Sequence, residues 1–279
     1  MDFIGNIIDW VIEELLKTGC DTSYVKLGNI DNLETIVNTM WGYIQTFAIG
    51  LTIIFFLLEI NRHWVFEGND MTIKTLVAPF IKLLAAIAFI GFSGRLFGAI
   101  CGINDSFVEW ADSEFTSILT ADLTSGLEGT SVGDIVNNKV GFLEKVILVL
   151  PVLLAYLITI VCNLVFIYKG FLYKVEFIAR LMFAPIAMAD VYSWQNANAI
   201  KYIKGTLALV LYAVCLVVLP KVTMAIAIGD FQNAVDVMKD GNCDVLVIIL
   251  KLLELCVAPI AAIGITGAAK TLTKEAVGA

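Results

Sequence analysis

Apolar and polar positions follow two different periods along this chain. In the first sixteen residues the apolar side chains Phe3, Ile4, Ile7, Ile8, Val11, Ile12, Leu15 and Leu16 recur at three- and four-residue spacing. Asp2, Asp9, Glu13 and Glu14 fall on the opposite face. That period predicts an amphipathic helix. Two placements are open for it: in the membrane interface, or packed against its own protein. Interfacial helices usually carry a basic polar face, and this one is acidic. Beyond residue 40 the period gives way to long unbroken apolar runs. A helix needs about 20 apolar residues to cross roughly 30 Å of hydrocarbon. Runs at 41–60, 73–100, 144–168, 205–228 and 245–268 meet that length and predict five membrane spans.

A further apolar stretch does not fit the series. Phe177 to Ala189 is only 13 residues long, carries Arg180 and Pro185, and stops at Asp190. An amide-rich piece with Trp194, Gln195, Asn196 and Asn198 follows, then Lys201 and Lys204. The segment 177–204 is expected to be a re-entrant or interfacial hairpin that bends at Pro185, with six true spans as the alternative. The fold class is therefore all-α: a polytopic transmembrane helical bundle of five spans, one non-spanning hairpin and an amphipathic N-terminal helix.

Composition supports the class. The 279 residues are 59% apolar and 16% charged, with a mean hydropathy of +0.87. Soluble domains average about 45–50% apolar and about 25% charged. The N-terminus has acids where a secretory signal has bases.

Charge distribution then gives orientation, because Lys and Arg concentrate in cytoplasmic loops. Residues 1–40, 101–143 and 229–244 hold only Lys17, Lys26, Lys139 and Lys239, each region being rich in acids. Arg62, Lys74, Lys169, Lys174, Arg180, Lys201, Lys204, Lys270 and Lys274 fall in the other connections and the tail. The pattern closes only if Lys169 and Lys204 lie on one side, which favours a non-spanning 177–204. The expected organisation is an extracytoplasmic N-terminal region at 1–40, spans 1 and 2 at 41–100, and an extracytoplasmic loop at 101–143. Spans 3–5 with the hairpin then occupy 144–268, and a short cytoplasmic tail covers 269–279. The expected location is the cytoplasmic membrane, with the N-terminus outside and the C-terminus in the cytoplasm.

Charges at membrane depth are costly and usually face a bundle interior or a wet cavity. Lys82 lies about ten residues into span 2; Lys251 and Glu254, at i and i+3 on the last span, can pair on one face. These three are the candidates for a lumen or an intramembrane polar contact. Glu59, Arg95, Lys145 and Lys221, near span ends, are expected to snorkel. Gly94, Gly98 and Gly102, at four-residue spacing, offer a surface for close helix packing. The prolines all lie in apolar segments, where they kink helices. Of the six cysteines, Cys101 and Cys243 fall in polar segments, and a bridge between them is one option.

No phosphate-binding glycine loop, metal-ligand cluster or nucleophile elbow occurs in the sequence. The single His63 sits beside Trp64 at the end of span 1. No cofactor or metal is expected, and an enzyme is not expected. The net charge of −8 argues against a general nucleic-acid-binding surface.

The stretch "FIARLMFAPIAMADVYSWQNANAIKYIKGTLALVLYAV" resembles the signature region of the TrbL/VirB-six family, in the form carried by conjugative elements of Firmicutes. The matching features are Arg180 before Pro185–Ile186, small residues leading to Asp190, a polar piece with Trp194, and Ala199–Leu209 with Lys201 and Lys204 opening the next span. The specific likeness covers about 35 residues; elsewhere only the layout agrees. Many family members have a longer soluble tail, whose role is not expected here. The resemblance implies an inner-membrane channel or platform subunit of a type IV secretion machine. It would pass single-stranded DNA with its relaxase, or protein effectors. Partners would be further copies of the chain, with a pentamer expected, ATPase subunits, stalk or pilus-like components, and the lipid bilayer. The alternative reading is a stand-alone small-solute permease or ion channel with Lys82, Lys251 and Glu254 as a midplane site.

Overall fold

The computed structural model describes residues 3–27, 31–67, 73–127, 133, 136–137, 140–193, 197–240 and 245–278. Six helices account for nearly all of them: α1 (Phe3–Leu16), α2 (Asp31–Glu67), α3 (Ile73–Leu127), α4 (Phe142–Ala189), α5 (Ala197–Asp240) and α6 (Val245–Val277). A single 3-10 turn, Asp190–Ser193, follows α4, and no strand occurs among the described residues. Five helices are long and apolar enough to cross a membrane, over Thr39–Val65, Val77–Glu114, Leu143–Tyr192, Asn198–Asp230 and Val245–Val277. The chain is an all-α, multi-pass membrane protein.

Two boundaries differ from the sequence expectation. The helix of span 2 does not end near residue 100 but continues through the expected loop to Leu127. A buried stripe at three- and four-residue spacing, Phe97, Ile100, Asn104, Val108 and Ala111, carries it across the drop in hydropathy. The second difference concerns 177–189. This segment is the continuation of α4, so it neither re-enters nor spans by itself. Pro185 lies inside the helix, four residues before its end, and the chain bends at Asp190–Ser193 instead. Near a helix end the missing N–H and the ring clash of proline disturb few bonds, and α4 absorbs them. The non-spanning hairpin is thus the end of α4, a turn and the start of α5.

The chain divides into two compact units. The first comprises Met1–Val25, Phe107–Leu172 and Tyr212–Thr271. Here the apolar face of α1 is buried: Ile8, Val11, Ile12 and Leu15 join one cluster with Leu148 and Val152 of α4, Met224 and Ile228 of α5, and Leu252 and Leu255 of α6. Trp10 adds a tilted ring contact to Tyr156, with centroids 5.0 Å apart. Full burial of an aliphatic side chain is worth about 1.5–3 kcal/mol. α1 therefore packs on its own protein, which decides between the two placements the sequence left open. After α1 the chain reverses at Gly19, whose φ of 73° suits a residue without Cβ. A Cβ there would also lie 2.8 Å from the ring of Phe166. The Gly19 N–H donates to Asn163 Oδ1 of α4 at 3.1 Å, and the Tyr24 hydroxyl donates back to the Gly19 carbonyl at 2.9 Å.

The second unit comprises Lys26–Ser106, Tyr173–Leu211 and Leu272–Ala279. Its core includes Ile90, Phe97, Phe177, Ala184, Met188 and Leu209. The buried Tyr173 hydroxyl donates to Asn104 Oδ1 at 2.7 Å, and Asn104 Nδ2 donates to Asp105 Oδ1 at 3.1 Å. The same Asp105 oxygen accepts the Leu27 N–H at 3.2 Å. This chain of bonds satisfies the buried amide, which an apolar setting would otherwise penalise.

Candidate functional site

The turn between α4 and α5 holds most of the residues that carry the family resemblance. Arg180, on the last turns of α4, lies 3.6 Å from Glu176 Oε1 and places its guanidinium carbon 5.9 Å from the centre of the Tyr202 ring. Tyr202, one turn into α5, donates its hydroxyl to the Arg180 carbonyl. Gly205 leaves room for the guanidinium, because a Cβ there would meet Arg180 Nη1 at 2.7 Å. Asp190 Oδ2 accepts the Asn198 N–H at 3.1 Å, so its carboxylate serves a free N–H in the first turn of α5. The 3-10 turn packs on α2. Lys201 and Lys204 are exposed. Trp194 and Cys243 lie outside the described residues, and Cys101 is a free, half-buried thiol.

The intramembrane charges form separate pairs. In the second unit Lys82 Nζ binds Glu59 Oε1 at 2.7 Å, each side chain about one-fifth exposed, with His63 Nε2 4.0 Å from the same oxygen. Glu59 is therefore a partner and not merely a snorkelling end residue. Removing one member of such a half-buried pair is expected to cost about 2 kcal/mol, while the apolar or neutral double replacement returns to within about 1 kcal/mol of wild type. Unfolding of Lys82→Met, Glu59→Gln and the double variant in mixed micelles measures this. Additive losses would mean that the two side chains are not coupled.

In the first unit Lys251 Nζ binds Glu254 Oε2 at 2.7 Å, as the i, i+3 spacing predicts, but both are accessible, at 34% and 59%. The pair borders a groove of about 300 Å³ between α5 and α6, together with Thr223, Ala227 and Asp230. It lies six to nine residues after the start of α6, toward one end of the helix rather than its middle. Lys82 and the Lys251–Glu254 pair thus belong to different units.

The polar contacts of three lysines escaped the sequence reading. Lys221, expected to snorkel, is 1% exposed and binds Asp112 Oδ1 at 2.6 Å, with the Asp112 carbonyl at 3.2 Å. Thr22 donates to the other Asp112 oxygen at 3.0 Å, tying the segment after α1 to the pair. Burial beside this pair pushes the Cys20 thiol up to about 11, so it is protonated and poorly nucleophilic at neutral pH. Lys169 of α4 donates to Thr266 Oγ1 at 2.6 Å and to the Ile263 carbonyl of α6. Lys145, also expected to snorkel, is buried and donates to the Asn137 carbonyl at 3.0 Å.

The glycine stripe divides. A Cβ on Gly94 would meet the Trp41 ring at 3.4 Å, whereas Gly98 and Gly102 have no neighbour within 4 Å. Among the described residues no group of three or more His, Cys, Asp or Glu is arranged to hold a metal ion. No family model, curated protein or solved structure matches this chain.

Proposed function

We propose that this protein is a membrane-embedded channel or platform subunit of a type IV secretion machine for conjugative DNA transfer, built as a ring of copies. The observation that carries the reading is the α4–α5 turn. The residues of the 35-residue resemblance are bonded to one another there, Arg180 with Tyr202 and Asp190 with Asn198. Five helices long and apolar enough to cross a membrane support the layout that the resemblance implies. A continuous α4 crosses once, so the bases from Lys169 to Lys204 gather around one turn. The positive-inside rule then places that turn and the C-terminus in the cytoplasm and the N-terminus outside. In this reading the chain provides passage or platform and catalyses nothing; associated ATPases drive the transfer of relaxase-bound DNA or effector protein.

The test is genetic and biochemical together. In a donor cell carrying the element that encodes this chain, in-frame deletion is expected to abolish conjugation without slowing growth. Expression of the wild-type chain from a second site is expected to restore transfer. Transfer at the wild-type frequency in the deletion strain, or a monomer that co-purifies with no secretion subunit, would sink the reading.

A further inference from the structure

One helix face in the second unit carries a cation that has no partner among the described residues. Gly91, Arg95, Gly98 and Gly102 recur at four-, three- and four-residue steps, so they share a face of α3. All four are exposed, and a Cβ on Gly91, Gly98 or Gly102 would meet no atom within 4 Å. Among the described residues Arg95 makes no hydrogen bond, ion pair or ring contact. It lies inside the candidate span Val77–Glu114, five residues before the apolar run of span 2 ends at Ile100. At 1.5 Å per residue that is a depth of about 8 Å. A charge within the span needs a polar surrounding.

The first unit presents the complement. The groove between α5 and α6 carries the carboxylates of Asp230 and Glu254 against the single ammonium of Lys251, one negative charge in excess. Glu254 lies nine residues after α6 begins at Val245, a depth of about 13 Å by the same rise. With five crossings, the start of α6 and the Ile100 end of span 2 fall on the same side of the membrane. Ala227 and Ala258 lie beside the charges in a groove also walled by Ile226, Leu255 and Val257, and the glycines flanking Arg95 carry no side chains to hold a neighbour away.

We infer that Arg95 of one copy inserts into the Asp230–Glu254 groove of the next copy. The guanidinium fork pairs with carboxylate in a low-dielectric setting, where charge-assisted bonds are strong. Lys251 keeps Glu254 turned along the groove through their 2.7 Å contact. Donor face and acceptor groove are different patches, so the contact is heterologous and repeats head to tail until it closes into a ring. The inference rests on the ring proposed above and names the contact that would build it.

Photo-crosslinking in native membranes tests it. A benzophenone amino acid replaces Arg95 or, as a second site on the same face, Gly98, in full-length protein expressed as a mixture of isotopically light and heavy copies. Cross-links joining light to heavy peptides are expected, ending in 223–230 or 251–261. Arg95→Glu is expected to reduce the assembled fraction by about tenfold or more, Arg95→Lys to retain most of it, and Arg95→Glu with Glu254→Lys to recover part of the loss. A wild-type ring whose cross-links from 95 and 98 end in lipid or in other helices, and which withstands Arg95→Glu, overturns the contact and leaves the ring reading standing. A wild-type chain that is monomeric in the membrane overturns both.

Discussion

Asp112→Asn lowers the unfolding free energy of this protein in mixed micelles by about 3 kcal/mol, the expected cost of taking the carboxylate from a buried ion pair. Lys221 is 1% exposed and its ammonium sits 2.6 Å from the Asp112 carboxylate. With an amide in its place the buried ammonium loses the carboxylate 2.6 Å away. The figure belongs at the low end of the range because the Asp112 carbonyl, 3.2 Å away, remains as an acceptor. The converse variant behaves differently. Asp112 is about one-third exposed, so Lys221→Met leaves a carboxylate that reaches water and costs only about 1 kcal/mol. The double variant is expected to be at least as stable as Asp112→Asn alone by about 2 kcal/mol, because a buried pair is often replaceable by apolar side chains. Equal losses in both single variants, summing in the double, would show that the two groups act independently.

Leu15→Ala carries the second large effect, about 3 kcal/mol. Leu15 is fully buried with Val11, Ile12 and the cluster residues of α4, α5 and α6, and truncation leaves a void that helical neighbours fill poorly. The loss is expected to fall on the docking of α1 before the spans. Limited proteolysis after Lys17 then accelerates while far-ultraviolet dichroism hardly changes. Glu13→Ala, on the exposed face, is the control and should cut no faster than wild type. If Leu15→Ala leaves proteolysis unchanged, α1 is not held by this cluster, and its apolar face rests on lipid instead.

The spans and the N-terminal helix were legible because each is written in a local period. Unbroken apolar runs mark the five crossings, and the three- and four-residue spacing of Ile8, Val11, Ile12 and Leu15 marks the face that α1 buries. The extension of α3 was legible too, in the stripe from Phe97 to Ala111, but hydropathy hides it: Asn104 interrupts the apolar side and Asp105, Glu109 and Asp112 crowd the other. Lys221 was not legible. It lies nine residues from the end of its span at Asp230, where snorkelling is the ordinary expectation, and its partner is 109 positions away. Only tertiary contact brings them together. The bend was misplaced for a related reason: Pro185 signals a break locally, whereas Asp190 gains a bond to the next helix only after the chain has turned.

The length of α4 has a consequence for handling and assembly of the protein. Its 48 residues make a rod of about 72 Å at 1.5 Å per residue, more than twice the roughly 30 Å of hydrocarbon it must cross. Even a 40° tilt, at the upper end of what spanning helices adopt, leaves about 25 Å beyond the oily layer. Yet apolar side chains stay on the outside near both ends, Leu143 and Leu150 at one and Phe171 and Phe183 at the other, where Lys169, Lys174, Glu176 and Arg180 interrupt them. Part of that apolar surface lies beyond what one bilayer can wet. The isolated chain should therefore be sticky and detergent-hungry, and whatever sheathes the overhang in the cell acts as its solvent.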